Sequence, residues 1–97
     1  MRMMMKVVME MHAGNKAARD GQIGKIMGAL TERLKPEAAY FAPDHGNRAA
    51  LLFFDMKDPS QMASIAEPLF QELGAQVTFT PVMNADELQK GLQSVPK

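Results

Sequence analysis

The chain has no cysteine, so disulfides, thiolate zinc sites and thiol nucleophiles are excluded, and a reducing compartment, the cytoplasm, is the expected setting. It has no excess of either charge: Lys plus Arg and Asp plus Glu are both 11. A neutral chain without a basic stripe offers little to nucleic acid or to an anionic membrane, and neither is expected as a partner. Long apolar runs are scarce as well. The N-terminal stretch is interrupted by Lys6 and Glu10, too soon for a membrane span or a signal peptide's apolar core. The sequence also lacks a phosphate loop, a dinucleotide fingerprint, a serine nucleophile elbow and a pair of histidines at metal-ligand spacing, so no metal or cofactor is expected. Six of the ten methionines fall in the first eleven residues. They read as adaptable strand and interface packing rather than as a Cu(I) ligand set, which needs purpose-built geometry.

What the sequence does hold is a strand with no polar face, Ala49-Ala50-Leu51-Leu52-Phe53-Phe54. A strand covered on one side alternates apolar and polar residues, so this one needs cover on both. A single domain spanning 1–97 supplies one layer of helices over one sheet, and a second copy of the chain is the expected cover for the other side.

The surrounding elements read strand, helix, strand, strand, helix, strand. Residues 3–12 alternate, with Met3, Met5, Val7, Met9 and Met11 on a dry face and Met4, Lys6, Val8, Glu10 and His12 on a mixed one. Ala13-Gly14-Asn15 is a turn ending in an N-cap, and Ile23, Ile26, Met27, Leu30 and Leu34 then follow helical spacing up to Pro36. Gly21, Gly24 and Gly28 inside that pattern mean either irregular first turns or a close backbone approach; packing against the sheet is the simpler expectation. A strand over 38–43, the turn formers Asp44-His45-Gly46-Asn47 and the apolar strand make an antiparallel hairpin. Asp58, Pro59 and Gln61 open a helix whose apolar stripe is Met62, Ile65, Ala66, Leu69, Phe70 and Leu73, ended by Gly74. Pro68 removes the donor for the Ser64 carbonyl and predicts a kink. Residues 77–82 form the last strand, and Asn84 with Glu87 marks a capping box opening a short terminal helix to about Gly91.

This order is that of an α+β, ferredoxin-like βαββαβ fold, a four-stranded antiparallel sheet with two helices on one face. With the dry face of the first strand under the helices, Lys6, Val8, Glu10 and His12 fall on the bare face with Thr78, Thr80 and Val82. The bare face then packs on its twin in a homodimer, or in a higher homo-oligomer of dimers, and encloses a mixed cavity.

At Gly14-Asn15 with Asp20-Gly21, Lys35-Pro36-Glu37-Ala38-Ala39-Tyr40-Phe41, Asp58-Pro59-Ser60-Gln61, Ala66-Glu67-Pro68, and Pro81-Val82-Met83 with Leu88 and Gly91, the chain resembles a family of short bacterial proteins within the dimeric α+β barrel superfamily. The resemblance implies two ferredoxin-like sheets packed face to face. It implies no one activity, because the superfamily holds cofactor-independent monooxygenases, muconolactone isomerases, dehalogenase-like enzymes and domains without catalysis.

Among candidate site residues, His12 and Glu10 stand two apart on the mixed strand face, where an imidazole and a carboxylate can share a proton or a ligand. His45 lies in the hairpin turn. Tyr40, the sole tyrosine, offers a hydroxyl on an aromatic body, and Arg48 a guanidinium for a carboxylate. Lys6, Thr78 and Thr80 complete the polar lining of the expected cavity. The expected function is a ligand-binding or non-catalytic homodimeric module for a small molecule. The alternative is a cofactor-independent monooxygenase- or isomerase-like enzyme acting on a small apolar or oxygenated metabolite, with His12 and Glu10 as acid and base.

Overall fold

The structure, a computed structural model, describes residues 1–96. Its elements are β1 (Arg2–Val8), α1 (Met11–Arg19), α2 (Gln22–Leu34), β2 (Ala38–Asp44), β3 (Asn47–Asp55), α3 (Gln61–Leu73), β4 (Gln76–Pro81) and α4 (Ala85–Gln93). The four strands form one antiparallel sheet in the order β2-β3-β1-β4. This is an α+β fold compatible with a ferredoxin-like arrangement, but not a strict copy of it: the first crossover consists of two helices, and a further helix follows the last strand.

Alternation in β1 holds where the strand holds. Met3, Met5, Val7 and Met9 are buried, and they join Ala50, Leu52 and Phe54 of β3 and Ile65, Leu69 and Leu73 of α3 in the core beneath the helices. The expected strand over 3–12 is too long. The backbone N–H of Glu10 donates to the Leu73 carbonyl, and its carboxylate accepts from the N–H groups of His12 (2.6 Å) and Ala13 (3.1 Å). Glu10 is thus the N-cap of α1. Orphan donors at a helix start outweigh the alternating pattern, which runs on through Met11 and His12 without a strand beneath it.

The single expected helix between the first two strands is broken at Gly21, whose φ of 72° carries the chain from α1 into α2. Gly24 and Gly28 do not pack on the sheet. Both are exposed, and a Cβ at either would meet nothing within 4 Å. Lys35 takes a left-handed conformation at the end of α2, with Pro36 preventing continuation.

The hairpin joining β2 and β3 turns on His45 and Gly46, both with positive φ, the geometry of a two-residue type I′ turn. At the start of α3 the N-cap is Ser60, two residues later than expected and without a side-chain bond. Of the expected Asp58 and Gln61 capping box only half forms, Gln61 Oε1 accepting from the Asp58 N–H at 3.3 Å, while Asp58 Oδ1 accepts from the Ser60 N–H at 2.8 Å. The capping box of α4 forms as expected: Asn84 Oδ1 accepts from the Glu87 N–H at 2.8 Å, and Glu87 Oε1 accepts from the Asn84 N–H at 2.9 Å.

A candidate binding face on the open side of the sheet

Pairing across the sheet determines which side chains share a face. Tyr40 stands opposite Leu51, Leu51 opposite Lys6, and Lys6 opposite Thr78, so the four form one row across all four strands. The adjacent row is Ala38, Phe53, Met4 and Thr80. Both rows lie on the side away from the helices, because their neighbours Met5, Leu52 and Phe79 belong to the core side. Leu51, Phe53 and Met4 are half-buried at the centre, while Tyr40, Thr78 and Thr80 are exposed at the two edges. The face is therefore apolar in the middle, with hydroxyl groups along both sides.

The cation in the first row already has a partner. Lys6 Nζ lies 2.9 Å from Asp44 Oδ2, and His45 Nδ1 is 3.2 Å from Asp44 Oδ1. The hydrogen bond from Lys6 holds the Asp44 carboxyl below its ordinary range. Near one end of the face, Arg2, Glu37, Tyr40, Phe53, Val82 and Met83 line an open groove of about 480 Å³. The Arg2 guanidinium bridges its rim, donating to Glu37 Oε1 at 2.7 Å and also to Glu87.

Of the residues singled out from the sequence, the structure brings Lys6, Tyr40, Thr78 and Thr80 onto this face, keeps His45 in the hairpin turn, and leaves three elsewhere. Glu10 and His12 lie beyond the last row of the sheet, at the start of α1. Glu10 is held below the ordinary carboxylate range chiefly by the His12 backbone N–H. That bond comes from the His12 backbone rather than its imidazole, so the expected strand-face pair is not formed.

Arg48 is the third. Opposite Pro43 and one residue out of phase with Ala49, it points to the helix side, where Nη1 donates to Asn15 Oδ1 at 2.9 Å. Gly14 admits it: a Cβ there would sit 3.2 Å from Arg48 Nη1. Arg48 borders a second feature that sequence reasoning missed, an open apolar cleft of about 570 Å³ whose lining includes Met9, Met11, Ile23, Phe41 and Pro43. The signal for it was the aromatic pair Tyr40-Phe41. Adjacent residues of a strand face opposite ways, so an edge strand with two aromatics presents one on each side of the sheet.

No group of three or more His, Cys, Asp or Glu side chains suited to a metal ion occurs among the described residues, and none of the described helices is long and apolar enough to cross a membrane. Comparison of the chain with known protein families, curated proteins and solved structures finds no match.

Proposed function

We propose that two copies of this chain pack their open sheet faces together, in the manner of a dimeric α+β barrel, and hold a small molecule between them. The observation that carries this reading is the row Tyr40, Leu51, Lys6 and Thr78, an apolar centre flanked by hydrogen-bonding groups on a face that no helix covers. Leaving Leu51, Phe53 and Met4 against water forfeits about 25 cal/mol for each Å² of apolar area. A twin sheet recovers that area and leaves the polar edges to form the walls of a cavity.

The chemistry of those walls narrows the ligand. Three hydroxyl groups, on Tyr40, Thr78 and Thr80, donate and accept hydrogen bonds, whereas the Lys6 ammonium is already neutralised by Asp44. An anionic ligand would have to displace Asp44. The face therefore suits an uncharged, mostly apolar molecule bearing a carbonyl or hydroxyl group. No observation favours the enzymatic alternative, since Glu10 and His12 lie off this face.

Thermal denaturation with a panel of small metabolites tests the proposal. A ligand at a hundred times its dissociation constant stabilises by about 2.7 kcal/mol. Uncharged oxygenated compounds should raise the melting temperature, and Tyr40→Phe together with Thr78→Val should abolish the rise. Stabilisation by anionic compounds alone, undiminished in that double variant, would overturn the proposed site.

A further inference from the structure

The described residues are more extended than a compact fold of this length. The radius of gyration is 15.5 Å and the longest dimension 56 Å, against a radius of roughly 12–13 Å for a compact chain of this size. A marked contributor is α4, none of whose residues is buried. It carries an apolar stripe nonetheless: Leu88 and Leu92 lie one turn apart and Val95 follows, with exposures of 47%, 57% and 58%, and Met83 at its root is 65% exposed.

This arm is built rather than loose. The Val82 N–H donates to the Arg2 carbonyl, the capping box sets the first turn, and Arg2 ties Glu87 of α4 to Glu37 beside β2. A helix held in place with its apolar stripe in water is pre-organised for a partner, because little ordering remains to oppose binding.

We infer that the α4 stripe of each copy docks in the apolar cleft beside β2 of the other, around Met11 and Phe41. This rests on the proposed face-to-face pair and adds a second contact to it. The root of α4 lies at the Ala38 end of β2 and the cleft at the Pro43 end. A two-fold axis crossing the strands sets the first residues of one β2 over the last residues of the other. Each arm then reaches round the partner's edge strand to its cleft, and the same operation closes both contacts. Phe41 and Met11 are 60% and 43% exposed. At such exposures the six side chains of arm and cleft carry on the order of 100 Å² apiece, so complete burial of both sets would cover at most about 1,200 Å², the lower end of specific interfaces. With the open faces added, the assembly reaches the size of a stable dimer.

The test compares full-length variants by sedimentation equilibrium and by cross-linking. Leu88→Asp with Leu92→Asp should leave the subunit folded and raise the dimer dissociation constant at least about tenfold, because each charge would enter an apolar cleft. The chain has no cysteine, so single thiols are unambiguous. A mixture of Leu92→Cys and Phe41→Cys copies should oxidise chiefly to the mixed disulfide. A wild-type dissociation constant in the arm variant, with Phe53→Asp dissociating the dimer, would overturn the arm contact and leave the face-to-face pair standing. A monomeric wild type would overturn both.

Discussion

The carbonyl of Ser64, which Pro68 leaves without its helical N–H donor, accepts a hydrogen bond from the Arg33 guanidinium at 3.2 Å. Arg33 Nη2 also donates to Ser64 Oγ at 2.6 Å. One side chain of α2 thus replaces the bond that proline removes from α3 and joins the two helices at that turn. A double-mutant cycle tests the replacement. Arg33→Ala should cost more in the native chain than in a Pro68→Ala background, where the backbone N–H restored at that position supplies the bond, with a coupling of about 0.5 kcal/mol at this exposed site. Additive losses in chemical denaturation would contradict the replacement.

Gly24 and Gly28 sit in the exposed interior of α2 with nothing near a would-be Cβ and with negative φ. Each Gly→Ala change should therefore stabilise the protein by up to about 1 kcal/mol, through the entropy of the unfolded chain. Loss of stability in either variant would show that the backbone is closely approached there after all.

Acid should lower the stability of the protein through groups whose folded pKa is depressed. The hydrogen bond from Lys57 lowers Asp55 to about 2, and the His12 and Ala13 N–H groups lower Glu10. A depressed carboxyl contributes stability above its unfolded value and loses it as pH falls through the folded one. The melting temperature should accordingly decline from about pH 4 towards pH 2. Glu10→Gln, which keeps a cap acceptor without the charge, should lower the melting temperature at neutral pH and reduce that decline. An unchanged pH profile in the variant would remove Glu10 from the explanation.

Adjacent residues of β3 should respond differently to the same charge. Leu52 is 1% exposed beneath the helices, whereas Phe53 is half-buried on the open face. Leu52→Asp should unfold the subunit, as seen by circular dichroism. Phe53→Asp should keep the fold and yield monomers. Identical behaviour of the two would contradict a two-sided strand.

The elements whose residues act locally were legible in the sequence. The Asn84 and Glu87 capping box, the Gly74 terminus of α3 and the His45-Gly46 turn each follow from one residue type meeting one backbone requirement. The failures came where two local signals competed. Alternation through Met11 and His12 matched a strand, but Glu10 capped a helix first. The three glycines of the first crossover looked alike, yet only Gly21 has a positive φ and breaks the helix. Of the candidate site, strand phase alone puts Lys6, Thr78 and Thr80 on the bare face, and the structure has them on the open side of the sheet with Tyr40 in the same row as Lys6 and Thr78. Arg48 was grouped with them on its chemistry alone, and one residue of phase, which on a strand is the whole thickness of the sheet, puts it on the other side.

The central claim is that the face bearing Tyr40, Leu51, Lys6 and Thr78 is closed by a second copy. Sedimentation equilibrium at micromolar concentration tests it most directly. The account requires a species of twice the 10.7 kDa chain mass, reduced to a single chain by Phe53→Asp without loss of fold. A folded wild-type protein that sediments at 10.7 kDa across that range would contradict it.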